Sequence, residues 1–520
     1  MVDLVIEGGR IVDGTGKASY TGDIAVSDGK IMEVGVIRGE PERRIDARGL
    51  VVAPGFIDSH SHSDLMLIAE PDAKQKIMQG ITTEMVGQDG LGEAPIREED
   101  VENWRSYLSG LNGDPDIDWS WRSLGEYLDA IQKARPATNV ASLVGHGNLR
   151  LAAMGMDDRP PTDPELGEMK ALFRDSLRQG AYGLSTGMIY PPCVYAATEE
   201  LTELCRVVSD ADGIFVIHMR NEGDALLESI EEVATIGANS GVKLHISHFK
   251  AAGQRNWGRS AQGLEAIEKA RKTGLSITVD QYPYTAGSTF LSARLPSWMH
   301  EGGVDAMLDR LRDPSTRDRA YAEMTEDGSF LMWGDTIVTS VKTEANKHLE
   351  GRSLAEIAEV KGGDTVEALF ELVFEESNAV GMVSFSMSEE DVRTIMRSPI
   401  QMFCTDGIVL GKPHPRAYGS FPRVLGRYVR DGVLDLEEAV RKMTSLPAER
   451  FGLKGRGVLK PGAHADITIF NPETVIDTAT YEDPIRFPEG IEYVIVNGRV
   501  TVDRGTYTGE RTGMVLRSGF

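Results

Sequence analysis

The chain has 520 residues, 41% of them apolar and 26% charged, the balance of an ordinary soluble globular protein with room for one large domain and a smaller one. Its formal charge of −25 argues against a nucleic-acid or anionic-membrane surface, which needs a clustered positive footprint, and favours small molecules as partners. No apolar run reaches the length of a membrane span, MVDLVIEGGR lacks the basic and apolar segments of a leader, and Cys193, Cys205 and Cys404 are too few for a disulfide framework, so a cytoplasmic location is expected.

The first 50 residues read as short alternating strands broken by Gly, Asp and Asn, with SDGK at 27–30 as a hairpin turn. LVVAPGFIDSH then predicts a buried strand over 51–60. Seven more strands are predicted at 80–86, 139–146, 179–186, 213–218, 242–248, 275–281 and 400–406. Amphipathic helices separate them, such as TEELTELCRVVSDADG, where Leu201, Leu204, Val207 and Val208 recur at helical spacing before an Asp-Gly stop. Eight strands alternating with helices predict an α/β fold, a TIM-like (β/α)8 barrel over 55–450. The interval 282–399 is too long for one connection, and roughly 290–335 is expected to be an insertion or lid over the site. The alternating texture returns in HADITIFNP and EYVIVNGRVTVDRG, with VNGR as another hairpin turn. Residues 1–54 and 451–520 are therefore expected to build one small β-sandwich domain from both ends of the chain.

Barrel enzymes carry their chemistry at the C-terminal ends of the strands. Here those ends hold His60 and His62, then Asp89, His146, Ser185 with Thr186, His218, His248, Asp280 with Tyr282, and Asp406. His60 and His62 are spaced to share one face of a strand, and Asp58 and Asp64 flank them with negative charge that suits a divalent cation. Two imidazoles alone could equally be satisfied core residues. The convergence of histidines on separate strand ends is what predicts a metal site.

GFIDSHSHSD, HMRNEGD, LHISHFKAAG, DQYPYTAGST, CTDG, HPRAYGSFPRVLG and GRGVLKPGAHADITIFNP, in this order along nearly the whole chain, resemble the amidohydrolase superfamily and, within it, the N-acyl-D-amino-acid deacylases or D-aminoacylases. The His-x-His opening and the C-terminal motif fix only the superfamily, whereas HMRNE, ISHFK and YPYTAGST carry the narrower likeness. The resemblance implies metal-dependent hydrolysis of a linear N-acyl-D-amino acid, with zinc as cofactor, one or two ions. His60 and His62 would bind one metal and His218 and His248 the other, in keeping with zinc's preference for nitrogen. Asp406 would take a proton from the attacking water and return it to the leaving nitrogen, which is a poor leaving group until protonated. Before Gly407 it could also be a helix cap.

One position departs from the family, which usually reads GNCG with the cysteine on the metals; this chain reads GQDG, placing Asp89 there. A carboxylate is a permissible ligand, and the change leaves open the metal number and an easier acceptance of cobalt or manganese. By the same likeness Lys250 and Tyr282 would hold the substrate carboxylate, with Ser288 as a further donor. Arg294 would face the amino-acid side chain, which allows an acidic one such as D-glutamate, or would be a solvated arginine of the lid. His146 is either a contact to the scissile carbonyl or a core histidine. His414 and Arg416 near the mouth order the lid, or Arg416 pairs with an acidic neighbour. A cyclic-amide hydrolase of the same superfamily and a non-catalytic scaffold are the alternatives, and a homo-oligomer is left open.

Overall fold

The computed structural model describes residues 2–37, 40–326 and 333–520, so 327–332 of the expected lid lie outside the described residues. Eight parallel strands make the barrel: Phe56–Asp58, Ile81–Val86, Asn139–Ser142 continued by Val144–Gly145, Gly183–Gly187, Ile214–His218, Lys243–Ile246, Ile277–Gln281 and Gln401–Phe403. Each pairs with its neighbour in register, and the ring closes between first and last through a parallel bridge of Ser61 with Gly407 and an Asp406 N–H donated to the His60 carbonyl (2.9 Å). Strand residues such as Ile57, Met85, Ala141, Val216 and Met402 form an apolar cluster with Phe451 and Leu453, which leaves the opposite end of the ring for polar residues.

The helices follow from local chemistry. Thr198–Asp210 buries Leu201, Leu204, Val207 and Val208 as their spacing predicts, and it ends where Asp212 adopts a left-handed backbone. Leu124–Ala134 and Asp163–Gln179 each open with a capping box, Ser123 with Glu126 and Thr162 with Glu165, which satisfies amide groups that the first turn cannot pair internally.

The expected first strand over 51–60 is in fact two. Val51–Pro54 pairs with strands of the terminal sheet, and only Phe56–Asp58 enters the barrel. Gly55 is the break: its amide donates to the Asp466 carbonyl, and a Cβ there would lie 2.2 Å from the Thr82 hydroxyl. His60 and His62 consequently lie beyond the regular strand, and strand alternation is not what brings them together.

The terminal sheet does come from both ends of the chain. Strands Leu4–Ile11, Tyr20–Ser27, Lys30–Gly35, Arg43–Asp46 and Val51–Pro54 join Ile467–Phe470, Ile491–Val496, Arg499–Asp503 and Thr506–Tyr507. They form one continuous sheet that wraps around a shared core containing Ile6, Ile24, Ile45, Ile467, Ile469 and Ile495. The two hairpin turns, Asp28-Gly29 and Asn497-Gly498, all with positive φ, touch each other, since a Cβ on Gly498 would fall 2.7 Å from the Gly29 Cα.

Between the seventh and eighth strands the chain inserts an antiparallel sheet of Ala286–Phe290, Gly381–Phe385 and Ile337–Ser340, together with helices such as Val304–Arg312 and Thr365–Glu375. Its strand Ala286–Phe290 runs beside the barrel mouth. The Ala286 carbonyl accepts from His414 Nε2 (2.9 Å), the Ser288 carbonyl accepts from Arg416 Nη2 (2.9 Å), and the Thr289 hydroxyl meets Tyr190 (3.0 Å).

Candidate active site

His60, His62, Asp89, His218, His248 and Asp406 gather at the mouth of the barrel, all buried. Three of them, Asp89, His248 and Asp406, have a positive φ (56°, 32° and 47°), a conformation costing about 1–2 kcal/mol for an L residue. Surrounding bonds impose it. The Asp280 carboxylate accepts the His248 N–H (2.5 Å), and the Asp89 loop is pinned by Asp64 on the Gly87 amide (2.9 Å), by Ser185 on the Gly90 amide (3.1 Å) and by Gln88 on the Ser59 carbonyl (3.0 Å).

Inside the cluster the contacts are longer. His60 and His62 face each other through Nε2 at 3.3 Å. Asp89 Oδ2 lies 3.5 Å from each of those nitrogens, and its Oδ1 lies 3.7 Å from His248 Nε2. Asp406 Oδ1 lies 3.2 Å from His62 Nε2 and 3.6 Å from His60 Nε2. His60, His62 and Asp89 offer ligand atoms within 4.8 Å of one another, as do Asp89, His218 and His248, and also His60, His248 and Asp406. Asp89 therefore belongs to two groups, one oxygen turned toward each.

The donor set fits a divalent cation. His218 Nδ1 and Asp89 Oδ1 are buried without a hydrogen-bond partner, which is costly unless something else occupies the centre. The protonation pattern has the same origin. Burial pulls the His62 and His248 imidazoles down, but carboxylate partners outweigh it and raise them to about 9 and about 10. For Asp406, burial is overcome first by the Arg416 charge and then by the histidines, which hold the carboxyl far below its usual range; Asp89 is held low by the histidines in the same way. The acids thus draw positive charge inward, and a metal ion supplies it more compactly than protons. Burial lowers His218 to about 4, so it stays neutral.

The residues expected around the substrate divide. Lys250 reaches the cluster: its ammonium lies 2.7 Å from both oxygens of Glu222 and 2.8 Å from His248 Nδ1. Tyr282 is buried with the Arg416 guanidinium 4.4 Å above its ring. Ser288 stands half-buried on the insertion strand. Arg294 sits in the turn Leu291–Arg294, donating to the Ser384 hydroxyl (2.7 Å) with its guanidinium 5.4 Å over Trp333, and its Nε is buried without a partner.

His146 does not join the site. It opens the helix His146–Met154, and both ring nitrogens are taken, Nδ1 by the Thr186 hydroxyl (2.9 Å) and Nε2 by Glu200 (2.8 Å), which is itself bonded by Arg150 (2.6 Å). Neither ring nitrogen is free to meet a substrate carbonyl. Asp58 is also withdrawn, because its carboxylate is bonded by the Lys76 ammonium (2.6 Å) and by Thr405. Among the described residues no cysteine enters a metal-ligating group.

Two side chains carry more than sequence reasoning assigned them. Arg416 is fully buried, with Nη1 2.8 Å from Asp406 Oδ2 in an ion pair that lacks hydrogen-bond geometry, and its Nε and Nη1 are unpartnered. Glu222, within HMRNE, gathers Lys250 and His248 Nδ1 (3.1 Å). Each lies in a stretch already notable for its likeness to a family; the Arg416 pair is the acidic-neighbour alternative, with Asp406 as the neighbour, whereas no spacing rule links Glu222 to partners 26 and 28 residues away.

A (β/α)8 barrel with a His/Asp cluster at its mouth defines a metal-dependent hydrolase, and the family comparison agrees: the model described as "Amidohydrolase family" matches residues 43–502, and the chain belongs to that family. D-aminoacylase of Alcaligenes xylosoxydans xylosoxydans is 38% identical, over 99% of this chain and 97% of that protein. N-acyl-D-glutamate deacylase of the same organism is 37% identical, over 99% and 96%. Among solved structures, N-acyl-D-glutamate deacylase from Bordetella bronchiseptica, complexed with zinc and a phosphonate mimic of the tetrahedral intermediate, superposes with a TM-score of 0.86 at 37% identity, covering 99% of this chain and 100% of that one.

Proposed function

We propose that this protein hydrolyses the amide bond of N-acyl-D-amino acids, releasing a carboxylate and a free D-amino acid, with zinc held at the barrel mouth. The observation that carries the reading is the meeting of three overlapping His/Asp groups with the buried cations Arg416 and Lys250, in a chain 37–38% identical over its length to deacylases of this class. His60 and His62 would hold one ion and His218 and His248 a second, with Asp89, which turns one oxygen toward each group, standing in the place where the resembling enzymes have cysteine. An ion bound there supplies a Lewis acid for the carbonyl and lowers the pKa of water.

The remaining steps belong to the protein. Asp406, ionised and turned toward His60 and His62 through Oδ1, accepts a proton from the attacking water and delivers it to the leaving nitrogen. Arg416, paired with Asp406 through Nη1 and with its buried Nε unspent, receives the substrate carboxylate together with Lys250 and Tyr282, and Ser288 lies alongside. Arg294, its Nε unspent, faces the amino-acid side chain and favours a carboxylate on it, as in D-glutamate. The D configuration rests on the relatives. Among the described residues no helix is long and apolar enough to cross a membrane, and all three cysteines are free and buried, in keeping with the cytoplasm.

Elemental analysis of the purified protein, with a hydrolysis screen of paired N-acetyl-D- and N-acetyl-L-amino acids on the same sample, tests this reading. Bound zinc with release of D-amino acids alone is expected, fastest for acidic side chains. Bound metal with neither enantiomer cleaved would overturn the substrate assignment.

A further inference from the structure

The Lys250 ammonium has three protons and no acceptor capacity, and three acceptors surround it: both oxygens of Glu222 at 2.7 Å and His248 Nδ1 at 2.8 Å. The same Nδ1 lies 3.1 Å from Glu222 Oε1. This nitrogen thus sits between a donor and an acceptor, and it cannot serve both. If it accepts from Lys250, a neutral His248 carries its proton on Nε2, the nitrogen turned toward Asp89, and cannot ligate a metal there. If it donates to Glu222, Nε2 is left as a lone pair facing the cluster, and one ammonium proton of Lys250 is released.

The rest of His248 is fixed. Asp280 holds its backbone amide, its φ is 32°, and its ring is wedged against His218 and His60 with centroids 4.4 and 5.0 Å away. The ring has little freedom to escape the choice. Glu222 is itself half-buried, and its second oxygen also lies 3.5 Å from His218 Nε2.

We propose that Glu222 is a positioning residue that sets the metal ligand and the substrate-binding cation together. Its carboxylate fixes the His248 tautomer that can ligate, and by claiming the Nδ1 proton it frees the third ammonium proton of Lys250 for a substrate carboxylate. Metal loading and readiness for substrate are therefore coupled through one side chain. The inference deepens the deacylase reading and rests on it for the role of Lys250, whereas the role of His248 concerns metal alone.

The test is Glu222→Gln, which keeps the shape and removes the charge, beside Glu222→Asp, which keeps the charge. Zinc retention is read by chelator competition on the loaded protein without substrate. KM and kcat are read on the best N-acyl-D-amino acid, and folding is checked by circular dichroism. Loss of an outer partner to a metal-bound histidine weakens binding by ~10- to 100-fold. Glu222→Gln is expected to lose zinc that much more readily and, re-saturated with zinc, to show a raised KM with kcat much less changed; Glu222→Asp is expected to recover part of both. Wild-type zinc retention in folded Glu222→Gln would overturn the proposal, as would weakened zinc retention in Glu222→Gln with KM unchanged. If the wild type cleaved no N-acyl-D-amino acid, the substrate reading would fall by itself, and the retention measurement would still decide the role of Glu222 toward His248.

Discussion

Two buried charged clusters start within a few residues of each other, one at the end of the first strand and one just beyond it, and they differ in how completely they are satisfied. In one, the Lys76 ammonium is bonded to Asp58 (2.6 Å) and to the Thr405 hydroxyl (2.7 Å), Thr405 returns bonds to both Asp58 oxygens (2.8 and 2.6 Å), and Glu84 accepts from Ser61 (2.8 Å) and Thr138 (2.6 Å). In the other, built on His60, His62, Asp89, His218, His248 and Asp406, histidine and carboxylate atoms stand 3.2–3.7 Å apart, and His218 Nδ1 and Asp89 Oδ1 have no partner. Burial is similar. The closed cluster has every short bond a buried ion pair needs to offset its desolvation, so it holds the fold; the open one is short of positive charge at its centre, so it invites a ligand.

The sharpest way to break that contrast is to change charged residues in each cluster and ask which property fails. Asp406→Asn should keep its metal by elemental analysis and lose about 10²- to 10⁴-fold in kcat, the usual worth of a positioned proton carrier. His248→Ala should lose metal and activity together. A near-normal rate in Asp406→Asn would remove this residue from the chemistry. Lys76→Met should give the opposite phenotype. It leaves Asp58 buried and unpaired, a change that costs about 3–5 kcal/mol in urea denaturation, while the folded fraction keeps its zinc and most of its kcat. If Lys76→Met lost zinc without losing stability, the two clusters would be one functional unit.

A smaller effect separates the clusters by pH. His62 and His248 are raised to about 9 and about 10 in the metal-free protein, above the ~6.5 of an unfolded imidazole. Their bound protons stabilise the fold fully below that unfolded value, and this contribution disappears as pH rises through the folded values. The chelated protein should therefore lose melting temperature between pH 6.5 and 10, whereas zinc-loaded protein, whose ligated imidazoles carry no such protons, should not. The gap between the two melting curves should widen with pH; a constant gap would mean that the histidines are not the groups that respond.

Much of this was legible in the sequence, and the failures share one cause. The eight strands and the helix at Thr198–Asp210 follow from periodicity, because a barrel strand buried on both sides and an amphipathic helix each leave a local signature. His60, His62, Asp89, His218, His248 and Asp406 stood among the residues expected at strand ends, where a barrel exposes side chains, and the family resemblance is what singled them out from His146, Ser185, Thr186, Asp280 and Tyr282. What the sequence could not show is pairing across the barrel. Asp58 looks like part of an acidic field until Lys76 and Thr405 are placed beside it, and Glu222 is one more polar residue of its motif until it meets Lys250 and His248. The split of the first strand at Gly55 was hidden for the same reason, since it depends on Thr82 lying too close for a Cβ.

His146 offers the finest test of whether satisfaction separates structure from function, because it sits at a strand end like the ligands yet is bonded like the closed cluster. Its Nδ1 meets Thr186, its Nε2 meets Glu200, and Arg150 completes the chain. Burial lowers this imidazole, but the neighbouring Cys193 and Glu200 outweigh it and raise it to about 9. His146→Gln keeps polar atoms in the space but cannot reach both partners with ring geometry, and should cost about 1–3 kcal/mol for a buried group left short of a bond. Glu200 still has Arg150, which keeps the loss at that level. Zinc content and KM should match the wild type, because the substitution removes nothing that faces the cluster. A raised KM at unchanged stability would mean that a histidine with both nitrogens occupied still reaches the substrate, and the distinction between closed and open clusters would then no longer identify the site.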